Sequence, residues 1–117
     1  MKWYLLTHLN HSSSNEIFAD AEVMPDSPWF SGHFPGDPIL PGIAQLAMVF
    51  DVITRLGNQN LKISGIRKVR FKQIIRPNDN LRIIATPHKG NATSFSFQVK
   101  VKEEVACSGI MITKKGN

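Results

Sequence analysis

The stretch from Phe30 to Gly42 reads FSGHFPGDPILPG and carries the strongest structural signal in the chain. It holds three prolines and three glycines within thirteen residues. Proline fixes φ and removes a donor, whereas glycine allows φ of either sign, so this mixture predicts a structured loop rather than a helix or strand. The loop contains one histidine, His33, which we expect its prolines to present rigidly.

The residues that follow this loop predict a helix. Gly42 to Leu56 reads GIAQLAMVFDVITRL and is apolar almost throughout. A helix that is apolar on nearly all sides is expected to be buried. Gly57 and Asn58 predict a left-handed stop at its end.

Strand patterns flank this helix on both sides. Residues 3–11 and 17–23 precede it, and four predicted strands follow at 61–75, 80–88, 92–102 and 105–113. The short breaks between the last four predict an antiparallel meander. This order fits the α+β hot-dog fold, an antiparallel sheet of about six strands wrapped around one long central helix. Because one such unit cannot easily cover its helix and sheet edge, we expect a dimer.

The composition is that of an ordinary globular protein. The chain has 117 residues, enough for a single domain spanning 1–117. Its one cysteine, Cys107, allows no intrachain disulfide and predicts a packing role. The first apolar stretch, Trp3 to Leu6, is too short for a signal peptide, and no run approaches membrane-spanning length. We therefore expect a cytoplasmic protein without membrane contact.

The net charge of +5 is unevenly distributed. Residues 61–89 hold eight cations against Asp79 alone, which predicts either an acidic partner or a solvated strand face. Nucleic acid is a poor candidate, because Phe71 is expected on the strand face opposite Arg70 and there is no stacking platform. His8 and His11 are expected on opposite strand faces, so we predict no metal site and no cofactor.

Two segments resemble the β-hydroxyacyl-acyl-carrier-protein dehydratases of fatty-acid synthesis. Gly32 to Gly42 is similar to their signature, and 69–73 followed by 76–79 is similar to a family strand and turn. The resemblance extends over essentially the whole chain. It implies a hydro-lyase acting on (3R)-hydroxyacyl thioesters, carried on acyl-carrier protein or coenzyme A, in fatty-acid or related acyl-chain biosynthesis. The acyl chain would contact Phe34, Pro41, Ala47 and Phe71, and the acidic carrier protein would contact Arg67, Lys68, Arg70, Lys72 and Arg76.

Dehydration requires three chemical tasks, and the residues suggest an agent for two of them. His33 suits removal of the α-proton, because histidine titrates near neutral pH. Gly42 lies at the predicted helix start, where free N–H groups suit the charge that develops on the thioester oxygen. The plainer interpretation of His33 is a loop histidine that binds a neighbouring carbonyl.

The third task, protonation of the departing hydroxyl, lacks its usual residue. The family carries a Glu or Asp fourteen positions after the histidine, and here that position is Ala47. Asp51 lies one helical turn further, ~6 Å along the axis, and would serve if protonated. Alternatively it is a satisfied buried polar group.

A partner chain offers another source of the acid. In this family each site combines a histidine from one subunit with an acid from the other. A heterodimer with a related chain would then complete one site, and the homodimer would be inactive. Gln45 and Leu46 resemble the same positions of the shorter aryl-polyene dehydratases. Two alternatives remain: a non-catalytic acyl-binding subunit, and a hot-dog thioesterase in which Asp51 activates water. Dimers of either kind would also allow a higher oligomer.

Overall fold

The fold is one antiparallel sheet curled around one helix. The computed structural model describes residues 3–12, 15–30, 38–56 and 60–116. The sheet has the strand order β1-β2-β4-β5-β6-β3. This arrangement confirms the predicted hot-dog fold. Its elements are β1 (Tyr4–His11), β2 (Ile17–Val23), a short 3-10 helix (Pro28–Phe30), α1 (Gly42–Leu56), β3 (Leu61–Phe71), β4 (Asn80–His88), β5 (Asn91–Val101) and β6 (Glu104–Lys115).

The inner face of the sheet and one side of α1 form the core. Along β5 the alternation is regular, with Phe97 and Val99 buried and Gln98 between them exposed. The period of two places every second strand residue on the helix side. The helix contributes a matching row of fully buried side chains: Ala44, Met48, Val49, Val52 and Ile53.

The predicted four-strand meander is correct for β4, β5 and β6 but wrong for β3. The strand β3 pairs with β6 and lies at the opposite end of that group from β2. It also ends at Phe71 rather than at residue 75. The reason lies in the segment that follows it. The N–H groups of Lys72 and Gln73 donate to Ala106 O at 2.7 and 3.3 Å, and Ile75 O accepts from Leu40 N at 2.8 Å. These bonds hold the chain beside β6 and the loop before α1, so no hairpin to β4 forms.

One side of α1 is open in the isolated chain, and this is the side that the predicted dimer would cover. Ile43 is 68% exposed, and Ala47 one turn later is also exposed. A single sheet covers only one side of a helix, so the opposite row remains accessible in the isolated chain. The apolar composition of α1 thus exceeds what one copy of this fold can bury.

An exposed apolar area continues from this helix face onto β3. Six large apolar side chains are exposed among the described residues, and five of them belong to α1, β3 or the segment just after β3. We call these five the open apolar surface: Ile43, Ile63, Ile66, Phe71 and Ile74. The sixth, Leu5, lies on β1 at the other end of the sheet. Exposed apolar area of this kind marks an interaction surface.

Candidate functional site

The first turn of α1 begins directly after Pro41. The carbonyl of Pro41 accepts from the N–H groups of Ala44 and Gln45 at 3.1 and 3.3 Å. The earliest N–H groups of a helix, here those of Gly42 and Ile43, have no intrahelical acceptor and lie at the positive end of the dipole. The N–H groups of Gly42 and Ile43 could therefore stabilise an oxyanion.

The aromatic ring of Phe71 lies over Gly42. A Cβ atom built on Gly42 would be 2.5 Å from Cζ of Phe71, so only glycine fits beneath the ring as it stands. The pairing of Phe71 with Cys107 at the end of β3 brings the ring to this point. The structure thus places together three of the predicted site residues: Pro41, Gly42 and Phe71.

Ala47, where the resemblance predicts a missing acid, lies on the open side of α1. The helical rise puts it ~7.5 Å along the axis from Gly42. Its side chain is a methyl group that faces out of the isolated chain. Nothing at this position can donate a proton.

Asp51 is held by two side chains. Its Oδ2 accepts a hydrogen bond from the Tyr4 hydroxyl, and its Oδ1 accepts from Nε of Arg55 at 2.9 Å. Burial is the main cause that raises the pKa of Tyr4 well above its ordinary value, followed by the hydrogen bond to Asp51 and the negative charge of Asp51. Asp51 is therefore a paired carboxylate one turn beyond Ala47, and its catalytic role remains a prediction.

Two predicted site residues, His33 and Phe34, lie outside the described residues. The described site therefore comprises the start of α1, its open face and the end of β3. The role of His33 as base remains a prediction.

Sequence reasoning missed Tyr4 and Arg55 as the partners of Asp51. Arg55 was detectable, because an acid and a base four residues apart on a helix are neighbours. Tyr4 carries no such signal, since 47 positions separate it from Asp51. A third feature is Gln45, which is 3% exposed and whose Oε1 has no hydrogen-bond partner among the described residues. Gln45 lies on the side of α1 opposite Ala47.

The predicted carrier-binding cations lie on β3 and the segment after it. Arg67, Lys68 and Arg70 are exposed and form no ion pair with a carboxylate of the described residues. Lys72 is also exposed, and the backbone N–H of Arg76 donates to Oδ2 of Asp79 at 2.9 Å. These cations lie on both sides of Phe71 along the chain.

In the ranges that the structure describes, no three His, Cys, Asp or Glu side chains are grouped so that they could hold a metal ion. Within the same ranges, no helix has the length and apolar character needed to cross a membrane.

A curled antiparallel sheet around one helix places the chain among hot-dog proteins. The sequence model of the ApeI-like family, described as ApeI dehydratase, matches residues 9–110. The chain belongs to the ApeI-like dehydratase family.

Individual relatives agree with this family. The 3-hydroxyacyl-[acyl-carrier-protein] dehydratase FabZ of Syntrophomonas wolfei is 33% identical over 97 residues, covering 72% of this chain and 65% of that enzyme. The FabZ of Haemophilus influenzae is 33% identical over 109 residues, covering 85% and 74%. A solved chain of the dehydratase heterocomplex ApeI:P from Xenorhabdus doucetiae superposes with a TM-score of 0.84 at 24% identity, covering 98% and 100%. This last likeness concerns the fold.

Proposed function

We propose that the chain is one subunit of a β-hydroxyacyl thioester dehydratase, which contributes His33 and Gly42 and takes its acid from a partner hot-dog chain. The observation that carries this proposal is Ala47. By the resemblance this position would hold an acid, and here it is a methyl group on a helix face that is open in the isolated chain. A partner seated on that face would bring its own side chains to the site.

The contacts of Asp51 support a partner as the source of the acid. A general acid must carry a proton and point it at the leaving group. Both oxygens of Asp51 instead accept hydrogen bonds, one from a hydroxyl and one from a guanidinium group. The same contacts weigh against a thioesterase in which Asp51 activates water.

The proposed reaction follows from these roles. His33 removes the α-proton of a (3R)-hydroxyacyl thioester, and the negative charge that develops on the thioester oxygen is stabilised by the N–H groups at Gly42. The carbon–oxygen bond at the β-position then breaks, and the hydroxyl leaves as water with a proton from the partner's acid. The products are an enoyl thioester and water.

The carrier of the acyl group is proposed to be acyl-carrier protein. The names of the FabZ relatives state that carrier, and an acidic carrier would be attracted to the exposed cations of β3 and of the segment after it. Lys72 and Arg76, just after β3, suit this docking. Coenzyme A thioesters are the alternative donor.

Hydration of a crotonyl thioester by the isolated chain tests the proposal. The wild-type chain should stay near background. Ala47→Glu should raise turnover by at least about a hundredfold, because a positioned general acid contributes about 10²–10⁴. Ala47→Gln is the matched control, since it has the same size but no acidic proton. The assay is made at high salt and at a concentration where sedimentation shows a dimer.

Two further variants identify the groups. His33→Ala added to Ala47→Glu should remove the gained activity, whereas Asp51→Asn should leave most of it. An active wild-type chain that loses turnover with Asp51→Asn would show that Asp51 is the acid. A chain that stays inactive with Ala47→Glu, although dimeric, would instead indicate a non-catalytic subunit.

A further inference from the structure

The edge strand β3 has one apolar and one basic face. Ile63, Ile66 and Phe71 pair with Thr113, Met111 and Cys107, which are all buried, so these three side chains lie on the helix side of the sheet. Lys62, Arg67 and Arg70 pair with Lys114, Ile110 and Ser108 on the outer face. Lys68 lies at a bulge with a φ of 55° between Arg67 and Arg70.

The outer face of β3 carries charge of one sign. All four cations of β3 are exposed, and the strand contains no Asp or Glu. None of the four forms an ion pair with a carboxylate in the part of the chain that the structure describes. The residue opposite Lys62 on β6 is another lysine, Lys114. No carboxylate of β3, and none directly opposite Lys62, balances the charge of these cations.

β3 is also the edge strand at which a strand of a partner chain could extend the sheet. β3 ends the sheet, and its inner side chains are part of the open apolar surface. A strand from a second chain would pair with the free backbone groups of β3 and cover Ile63 and Ile66. The other edge, β1, offers only Leu5 among the exposed large apolar residues.

Pairing with an identical β3 offers its cations no carboxylate in any register. When two identical strands pair antiparallel, the outer-face residues of one lie opposite the same residues of the other in reverse order. Because β3 has no carboxylate, each cation meets another cation or a neutral residue. Directly opposed like charges destabilise a sheet, and diagonal neighbours still interact. A homodimer paired through β3 therefore has eight cations along its interface, four from each strand.

We infer that β3 selects a different hot-dog chain whose own edge strand presents carboxylates on its outer face. The apolar side chains provide attraction for any similar edge, and the charges decide which edge is accepted. This inference rests on the proposed function, in which the site is incomplete without a partner chain. The charge row thereby weakens the homodimer, which has no acid at position 47, relative to the mixed dimer.

A charge-reversed copy of this chain serves as the acidic probe. The variant Lys62→Glu/Arg67→Glu/Arg70→Glu is mixed with the wild-type chain, and native mass spectrometry measures mixed and like dimers. At low salt the ratio of mixed to like dimers should be about tenfold above its value for random pairing, as expected for several opposed pairs. The excess should shrink as salt screens the charges. The wild-type homodimer alone should tighten over the same salt range.

A second triple variant controls for total charge. Lys89→Glu/Lys100→Glu/Lys102→Glu makes the same charge change away from β3 and should mix with the wild type in statistical proportion. Thermal unfolding followed by circular dichroism checks that both variants fold. The inference is overturned by statistical mixing of the β3 variant, or by a wild-type homodimer that is tight at low salt and indifferent to added salt.

The acyl-carrier protein is the competing partner for the same cations. If the β3 variant mixes statistically yet loses binding to apo acyl-carrier protein, the row serves the carrier and the inference fails. None of these measurements uses turnover. A failed rescue by Ala47→Glu alongside charge-selective mixing would therefore refute the proposed reaction and leave the partner selection standing.

Discussion

The hydroxyl of Tyr4 and the carboxylate of Asp51 show how an acidic residue is tolerated on an apolar helix. An isolated buried charge is expensive, whereas one that accepts hydrogen bonds from a hydroxyl and a guanidinium group is compensated. The arrangement holds the Tyr4 proton firmly, because burial and the nearby negative charge both oppose ionisation. The pair links β1 to α1 one turn beyond Ala47.

This pair predicts an unusual titration of Tyr4. The chain has one tyrosine, so tyrosinate absorbance near 295 nm reports on it alone. The absorbance should rise only well above pH 10, the ordinary pKa being about 10. In Asp51→Asn the pKa should fall but stay above the ordinary value, because burial remains the largest cause. A wild-type rise centred near pH 10 would contradict the buried pair.

The same shift predicts how stability depends on alkaline pH. Folded Tyr4 keeps its proton where unfolded Tyr4 has lost it, so the folded state binds more protons above pH ~10. The contribution of Tyr4 is complete below that pH and is lost as pH rises through the folded pKa. Denaturant unfolding at a series of alkaline pH values should show a steeper loss of free energy for the wild type than for Tyr4→Phe.

The sequence predicts the site only where neighbours are close in the chain or where a motif is recognised. Gly42 at a helix start follows from the proline-rich loop before it, and the buried Cys107 follows from its apolar strand. The ring of Phe71 over Gly42 and the Tyr4 hydroxyl at Asp51 join distant segments. Periodicity assigns a residue to a face but does not specify what lies opposite.

At the scale of the strands, Gly109 of β6 pairs with Phe97 of β5, and the Phe97 ring lies close to the glycine. A Cβ atom added there would lie 2.9 Å from Cζ of Phe97 and 3.2 Å from the carbonyl oxygen of Arg67. Phe97 is 2% exposed and has no room to move away. The missing side chain thus leaves room for the Phe97 ring and for the Arg67 carbonyl oxygen.

Gly109→Ala should therefore destabilise the chain by about 1–3 kcal/mol, the usual cost of overpacking. Gly65→Ala is the matched control on β3, where an added Cβ would meet Ile112 at an ordinary 3.7 Å. Chemical denaturation of both variants gives the difference in unfolding free energy. Equal stability of the two would show that Phe97 yields easily.

The strand order shows where pattern reasoning is insufficient for elements. Period-two alternation locates the strands, and short turns correctly join β4, β5 and β6. The placement of β3 beside β6 depends on hydrogen bonds from Lys72 and Gln73 to Ala106, which no local pattern encodes. The residues that form a strand are therefore easier to predict than the strand with which it pairs.

For the molecule as a whole, the open apolar surface predicts that assembly depends on β3 rather than β1. Ile66→Ser should raise the dissociation constant of the dimer at least about tenfold at high salt, because a buried isoleucine contributes about 1.5–3 kcal/mol. Leu5→Ser removes an even more exposed side chain from the other edge and should have no effect. Sedimentation velocity compares the two, and equal weakening would place the interface elsewhere.

The pairing of β3 with β6 also orders events during biosynthesis. β3 is made before β4, β5 and β6, yet its one neighbour in the sheet is β6. While the ribosome is still adding β4 and β5, β3 has no strand against which to settle, and contacts between segments so far apart in the chain form slowly. The edge proposed to bind the partner is therefore completed only after β6 has emerged, so we expect a second chain to join after translation of this one.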